Sequence, residues 1–122
     1  MSDPLLIIDN TGLQNMIIDL EKQSAIAVAC KQRFDNGLSG QYICLIMISS
    51  PETDYVIDAI TLALEISSLK KVLESKNILK VFCNGLNDLL SLQKYFQLYI
   101  VGIMDIQIFY NKCFLKFAKL LF

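Results

Sequence analysis

The sequence contains no histidine, and its four cysteines, Cys30, Cys44, Cys83 and Cys113, are widely spaced. Protein zinc sites combine cysteine and histidine ligands, usually with two ligands a few residues apart, as in Cys-x-x-Cys. Neither pattern is present, so the sequence gives no indication of a zinc site. We expect the cysteines to be reduced and to serve as small, buried apolar side chains.

Long hydrophobic runs are also missing, since no apolar stretch approaches the roughly 20 residues that a membrane-spanning helix needs. The first residues, Met1-Ser2-Asp3-Pro4, lack the basic region of a signal peptide. These absences predict a protein that does not cross a membrane and is not secreted. We therefore expect a nuclear or cytoplasmic location.

An excess of positive charge is absent, because 11 Lys and Arg residues stand against 12 Asp and Glu residues, for a formal net charge of −1. Non-specific binding to nucleic acid by counterion release relies on a broad basic surface. Any contact with nucleic acid is therefore expected to be local. The length of 122 residues predicts one domain with a core, and the 54% of hydrophobic residues suits a piece of something larger.

Hydrophobic periodicity predicts a strand and a helix, then three strands with short connections, then alternating helices and strands. The predicted strands are 5–8, 26–30, 42–49, 54–57, 78–82 and 99–101. The predicted helices are 13–20, opened by Asn10 or Thr11; 69–73, capped by Ser67 or Ser68; 87–96; and 106–120, capped by Asp105. The polar segment 31–41 is predicted to be a loop or reversal. This order favours a mixed sheet flanked by helices, in the α/β class.

Three segments in the second half of the chain carry a family resemblance. They are 78–82, Asn87-Asp88 with the leucine-rich helix that follows, and 96–101 with 104–107. In this order and at this spacing they resemble the ribonuclease D-type (DEDD) 3′–5′ exonuclease domain, in its exosome-associated branch. The resemblance covers roughly residues 4–110 and implies a ribonuclease H-like fold. It also implies that residues 1–122 form a single, partial exonuclease-like domain that is degenerate and C-terminally truncated.

The chemistry that this resemblance implies is hydrolysis by two Mg²⁺ or Mn²⁺ ions, which four carboxylates hold. Matched residue by residue, the first two carboxylate positions fall on Ala29 and Lys31, the third on Asp88, and the fourth beyond Phe122. The usual histidine before the second motif is replaced by Cys83. As a metal ligand, the remnant Asp88 is insufficient alone, so we expect no intact catalytic site and no cofactor.

The charged residues near these motifs each have a functional and a structural interpretation. Asp88 is either a remnant of the metal site or an acid that complements the macrodipole of its helix. The functional interpretation of Lys31 is a contact with a backbone phosphate of RNA in place of a metal, and the structural one is a solvated loop lysine. We expect Asp105 to cap the last helix, Asp58 to end a strand at a turn, and Lys80 to be solvated.

The resulting hypothesis is a pseudoenzyme of the exonuclease family with a weak RNA-binding or scaffold role in RNA processing. One alternative is an active 3′–5′ exoribonuclease fragment that uses Mg²⁺ or Mn²⁺. A second is a protein-interaction module without nucleic-acid contact. An apolar stripe on the last helix also predicts a homodimer or a complex with a protein partner. The stripe consists of Ile106, Phe109, Tyr110, Cys113, Phe117 and Leu120.

Overall fold

The computed structural model describes residues 3–35 and 40–121. Within them, six strands form one mixed sheet in the order β1-β4-β3-β2-β5-β6. The strands are β1 (Leu5–Ile7), β2 (Ala25–Asp35), β3 (Gly40–Ser49), β4 (Asp54–Asp58), β5 (Leu79–Phe82) and β6 (Ile103–Asp105). The predicted antiparallel arrangement of β2, β3 and β4 is confirmed, and the β1–β4, β2–β5 and β5–β6 pairs are parallel.

Helices flank this sheet, as the order of predicted elements indicated. They are α1 (Asn10–Leu20), α2 (Lys70–Leu73), α3 (Leu86–Phe96) and α4 (Ile106–Leu121), and a 3-10 turn at Ile66–Leu69 leads directly into α2. Among the residues that are described, no helix combines the length and the apolar character that spanning a bilayer requires.

The central strands have a covered face and an open face. Along β2, Ile26 and Val28 are buried, whereas the alternating Ala27 and Ala29 are exposed, because successive side chains of a strand point to opposite faces. The covered face belongs to the main hydrophobic core. The helical contribution to that core comes from Leu13, Met16, Ile17, Leu20, Ile66, Leu69, Val72, Leu73 and Leu92. The open face carries the positions that the family resemblance assigns to catalysis.

Two of the predicted helix caps are wrong. Helix α1 is capped by Asp9, whose Oδ1 accepts a hydrogen bond from the Gly12 backbone N–H at 2.8 Å. Before α2, the 3-10 turn occupies the position of the predicted cap, and neither it nor α2 has a side-chain cap. Ser68 instead accepts a hydrogen bond from Gln14 at 3.3 Å. Short polar residues are interchangeable as caps in a sequence pattern, so the choice depends on local backbone geometry.

The predicted loop 31–41 is wrong over most of its length, because β2 continues to Asp35 and β3 begins at Gly40. Arg33 pairs with Tyr42 and Phe34 with Gln41, so the ladder extends through polar residues. Cross-strand pairing satisfies the hydrogen-bonding groups of the backbone in this segment, although its composition is typical of a loop.

The last strand is displaced from its predicted position at 99–101. Residues 99 and 101 are bonded elsewhere, since Tyr99 N–H donates to the Glu74 carboxylate at 3.0 Å and Val101 N–H to the Leu73 carbonyl at 3.4 Å. Pairing with β5 begins around Gly102, whose carbonyl accepts from Lys80 N–H at 2.8 Å and whose φ is +68°. The turn at this glycine therefore fixes where β6 starts.

Lys80 is fully buried, which contradicts the predicted solvated position. It lies on the covered face of β5, between the buried Ile78 and Phe82. Its ammonium group donates to the Ser75 carbonyl and, at 2.7 Å, to the Ile78 carbonyl. Burial lowers the pKa of Lys80 below its usual range. The two carbonyl partners explain how a lysine is accommodated in the core.

Candidate metal and nucleic-acid site

Strand β2 carries the first two positions that the family resemblance assigned to metal ligands. Ala29 and Lys31 are both exposed, and they lie opposite Met47 and Leu45 of β3. Lys31 is therefore part of a strand and not of a loop. The register of the β2–β3 pair shifts between Lys31 and Gln32. Such a bulge bends the strand at the point where it leaves the body of the sheet.

Asp88 is bonded to the same strand through both of its carboxylate oxygens. Oδ2 accepts a hydrogen bond from the Cys30 backbone N–H at 3.1 Å, and Oδ1 accepts one from Gln32 Nε2 at 2.9 Å. The Gln32 side chain is held in turn, since its Oε1 accepts from the Ser91 hydroxyl at 2.8 Å. Asp88 lies in the first turn of α3, as a macrodipole-complementing acid does. It also fastens α3 to β2.

The bond to Cys30 has a topological reason. Strand β5 pairs with β2 only from Ala25 to Ala27, so farther along β2 the backbone on that side lies beyond the end of β5. The Asp88 carboxylate takes the place of a strand partner for the Cys30 N–H. Burial, together with the charge of Asp88, raises the pKa of the Cys30 thiol.

An apolar cavity of about 220 Å³ opens on the sheet face that carries Ala29. Its walls come from β2, β3, β5, the residue after β5 and the first residue of α4, and they include Ala29, Met47, Val81, Cys83 and Ile106. Cys83, at the position of the usual family histidine, is exposed. The same is true of Cys113, whereas Cys30 and Cys44 are only partly buried. The prediction of four buried cysteines is therefore wrong.

Asp105 organises the segment between β5 and α3. Its carboxylate accepts from the backbone N–H groups of Asn84 and Gly85, each at 2.9 Å, and of Gln107 at 3.0 Å. These bonds hold the pKa of Asp105 below its usual range. The predicted cap of the last helix is present, and the same side chain also fixes the turn that follows Cys83.

The other predicted turn acid, Asp58, behaves as expected. Its carboxylate accepts from the backbone N–H groups of Ile60 at 3.1 Å and Thr61 at 3.0 Å. It also accepts from the Thr61 hydroxyl at 2.8 Å. These hydrogen bonds lower the pKa of Asp58, with those from Thr61 contributing most. Asp58 ends β4 and takes no part in the candidate site.

Two residues of the site, Gln32 and Ser91, were not identified from the sequence. Gln32 lies in the polar segment that was predicted as a loop, and its contact with Asp88 joins residues 56 positions apart. The local pattern gave no signal for Gln32, because its place beside the family motif depends on the pairing of β2 with β3.

Similarity to known proteins supports the same family. A model of the 3′–5′ exonuclease domain matches residues 5–117. The exosome complex exonuclease RRP6 of Saccharomyces cerevisiae is 33% identical over 104 residues, which cover 85% of this chain and 14% of the yeast protein. Exosome complex component 10 of Rattus norvegicus is 33% identical over 94 residues, covering 77% of this chain and 9% of the rat protein. The chain thus spans a small part of the length of these relatives.

Solved structures agree with this comparison. The catalytic core of RRP6 from Trypanosoma brucei superposes with a TM-score of 0.81 at 27% identity, covering 86% of this chain and 29% of that chain. Escherichia coli RNase D, at 21% identity, shares the fold with a TM-score of 0.76, covering 88% of this chain and 28% of that chain. The mixed sheet is therefore that of the RNase D and RRP6 exonuclease domains. The chain belongs to the 3′–5′ exonuclease domain family.

The donors at the assigned positions can be compared with what a pair of divalent ions requires. Hard cations are bound by oxygen ligands, chiefly carboxylates. In residues 3–35 and 40–121, no three His, Cys, Asp or Glu side chains converge as a metal-binding group. Ala29 offers no donor, Lys31 offers a cation, and Asp88 is the one carboxylate among the three assigned positions. This donor set does not fit two divalent ions.

Proposed function

We propose that this chain is an RNA-associated binding domain of the 3′–5′ exonuclease family in which two-metal hydrolysis is lost. The observation that carries the proposal is the donor set at the assigned positions, where Ala29 offers no ligand, Lys31 offers a cation and Asp88 is the one carboxylate. In a metal-dependent nuclease the positive charge of the ions stabilises the attacking and leaving oxygens. Here the one matched carboxylate is hydrogen-bonded to Cys30 and Gln32 of β2, and we assign it a structural role.

Lys31 adds a second reason. A cationic side chain at a carboxylate position repels a divalent ion, and this repulsion strengthens as water is excluded from the site. The active alternative would require a set of ligands that differs from the four carboxylates of the family. The described residues offer no such set, so we propose that neither Mg²⁺ nor Mn²⁺ acts as a cofactor.

The association with RNA rests on Lys31 and on the family. Lys31 is exposed, and it lies two residues along the strand from Ala29, which lines the open-face cavity. A lysine at this position acts as a point charge for a backbone phosphate. The relatives named as exosome components fit a role in RNA processing, in the nucleus or the cytoplasm. We assign this role to residues 1–122 as one partial domain.

The catalytic part of the proposal is tested by incubating end-labelled single-stranded RNA with the protein and Mg²⁺ or Mn²⁺. We expect intact RNA, because the donor set does not hold the ions that stabilise the transition state. The Asp88→Ala protein serves as the control for contaminating nuclease. Progressive shortening from the 3′ end by the wild type, abolished in Asp88→Ala, would overturn the proposal in favour of the active alternative.

The binding part is tested by the salt dependence of affinity for a single-stranded oligonucleotide. Loss of one phosphate contact lowers the magnitude of the slope of log affinity against log salt by about 0.7 for a single strand. We expect this decrease for Lys31→Ala. The matched control is Lys22→Ala, since Lys22 is also an exposed lysine but lies in the connection between α1 and β2. Equal slopes for the wild type and Lys31→Ala would exclude Lys31 as the phosphate contact.

A further inference from the structure

Lys80 is the one charged side chain that is buried among the described residues. Its ammonium group donates to the carbonyls of Ser75 and Ile78, in the connection between α2 and β5. Burial of a charge costs free energy even when hydrogen bonds compensate part of it. An apolar side chain of similar size would fill the same position without that cost. Burial of apolar surface therefore does not account for a lysine at this position.

The apolar pattern of β5 does not by itself determine which face of the strand is buried. Ile78, Lys80 and Phe82 are buried, whereas Leu79 and Val81 lie on the other face. A shift of the strand by one residue would exchange its two faces, so that Leu79 and Val81 would enter the core and the lysine would reach water. Buried polar groups specify a unique register in some proteins, because only one arrangement provides their partners. The hydrogen bonds of the Lys80 ammonium group favour the observed register in this way.

The start of β6 lies against the same lysine. The carbonyl of Gly102 accepts from the Lys80 backbone N–H at 2.8 Å. A Cβ atom at Gly102 would be 3.2 Å from the Ile78 carbonyl oxygen and 3.9 Å from Lys80 Nζ, so this turn packs closely on the ammonium group and on one of its acceptors. Strand β6 has three residues and pairs with β5 alone among the described strands. Its position therefore depends strongly on this contact.

Asp105, the last residue of β6, connects this strand to the candidate site. It lies opposite Phe82 of β5, and its carboxylate accepts from the backbone N–H groups of Asn84 and Gly85, which immediately precede α3. The turn is tight, since a Cβ atom at Gly85 would be 2.6 Å from the Phe82 side chain. A displacement of β6 would therefore change the position of the first turn of α3, where Asp88 lies.

We propose that Lys80 is a positioning residue of the candidate site. Its buried ammonium group sets the register of β5 and the start of β6, and Asp105 connects that position to α3 and so to Asp88. Every step is a hydrogen bond or a close packing contact between described residues. The inference goes beyond the proposed function, because it concerns the position of Asp88 and holds whether or not RNA binds at Lys31.

The test is native-state hydrogen exchange of Lys80→Met, followed by NMR. Methionine keeps an unbranched apolar side chain and removes the three ammonium donors. The amide protons of Asn84 and Gly85, which donate to Asp105, are named here the turn amides. We expect them to exchange at least about tenfold faster than in the wild type, because their acceptor is no longer held in place. Unchanged exchange of the turn amides in folded Lys80→Met would overturn the proposal.

A core truncation far from β5 along the chain separates positioning from a general loss of stability. Leu13→Ala removes a fully buried side chain of α1 and lowers the free energy of global unfolding. We expect it to accelerate exchange of the amides of the central strand β3, which open only with the whole fold, and to leave the turn amides near their wild-type rates. Equal acceleration of the turn amides in Leu13→Ala and Lys80→Met would show that they report global stability alone, and would overturn the proposal.

Gly102→Ala disturbs the same contact from the other side and keeps the lysine, so it decides the question if Lys80→Met does not fold. The new methyl group would lie close to the Ile78 carbonyl, on a backbone whose φ is +68°. We expect the turn amides to exchange faster in this variant as well. The Cys30 amide, which donates to Asp88, should respond in the same direction in both variants. Wild-type exchange of the turn amides in Gly102→Ala, or of the Cys30 amide in both variants, would overturn the proposal.

Discussion

Asp88 combines two interactions that join α3 to β2. Its oxygens accept from a backbone N–H of β2 and from the Gln32 amide, which is itself oriented by Ser91. A residue retained for catalysis commonly reduces stability, because its surroundings are arranged for function. A residue whose side chain accepts hydrogen bonds from two partners within the fold contributes to stability. The sign of its effect on unfolding therefore distinguishes the two roles.

We predict that Asp88→Ala destabilises the protein by about 1–3 kcal/mol, because it leaves the Cys30 N–H and the Gln32 amide without their acceptor in a half-buried position. Gln32→Ala should cost about 1 kcal/mol. The two changes remove parts of one network, so we expect a coupling energy of about 0.5–3 kcal/mol in a double-mutant cycle. Urea unfolding of the four proteins measures all three quantities.

Additive changes in this cycle would show that Gln32 and Asp88 act independently. A neutral or stabilising Asp88→Ala would contradict the structural role. Ser91→Ala provides a further check, because it removes only the orienting hydroxyl of the network and should cost less than Asp88→Ala.

At the scale of elements, α1 and β4 are joined by one polar contact at the margin of the core. The Tyr55 hydroxyl donates to the Asp19 carboxylate at 2.6 Å. Burial, with further contributions from this hydrogen bond and from the charge of Asp19, raises the pKa of Tyr55 from 10.0 to about 12. The ionised tyrosine is disfavoured in the folded state, because it would lose the hydrogen bond and meet the Asp19 charge.

This shift predicts a loss of stability at alkaline pH. The folded-state pKa lies above the unfolded-state value, so the contribution of Tyr55 is fully present below pH 10 and is lost as the pH rises towards about 12. Tyr55→Phe should cost about 1 kcal/mol at neutral pH and should remove this part of the pH dependence. Unfolding free energies of both proteins between pH 7 and 12 test it, and parallel curves would show that Tyr55 makes no such contribution.

The elements that the sequence predicted correctly are those with a strong hydrophobic pattern. The buried strands around Ile26, Ile46 and Ile57 were found because their apolar residues recur at short intervals. The end of β2 and the start of β6 were missed, since cross-strand bonds such as Lys80 N–H to the Gly102 carbonyl decide them. Buried Lys80 was missed because two backbone carbonyls accommodate its charge.

The candidate site was predictable to a similar degree. Family resemblance placed Ala29, Lys31 and Asp88 together, and the structure brings the strand of the first two into contact with the third through Cys30 and Gln32. The partners of Asp88 could not be read from local pattern, because the contact depends on where α3 crosses β2. The exposure of α4 depends on which elements cover it, and this is a tertiary property.

In the whole molecule, the core that stabilises the fold is separate from the face that carries the candidate site. The core is apolar and continuous, from α1 through the sheet to α2 and α3. The face that carries the assigned ligand positions holds an apolar cavity beside Ala29. None of the core contacts requires a metal ion. We therefore expect the free energy of unfolding to be the same with and without divalent cations.

We predict that Mg²⁺ and Mn²⁺ leave the thermal unfolding midpoint of the wild type unchanged, because a ligand raises stability only when it binds the folded state in preference to the unfolded state. Ala29→Asp/Lys31→Glu returns two carboxylates to the strand that Asp88 contacts and should acquire a Mn²⁺-dependent rise. At 100 times the dissociation constant the rise corresponds to about 2.7 kcal/mol, or on the order of 10 °C.

The matched control for charge is Lys22→Glu/Ser24→Asp, which makes the same change of net charge at two exposed positions before β2 and should not respond to Mn²⁺. A saturable rise in the wild type that Asp88→Ala removes would contradict the loss of the metal site, because it would mean that Asp88 binds the ion. A rise only in Ala29→Asp/Lys31→Glu would locate the loss of metal binding at those two positions of β2, since the rest of the fold would then have retained the capacity to hold the ion.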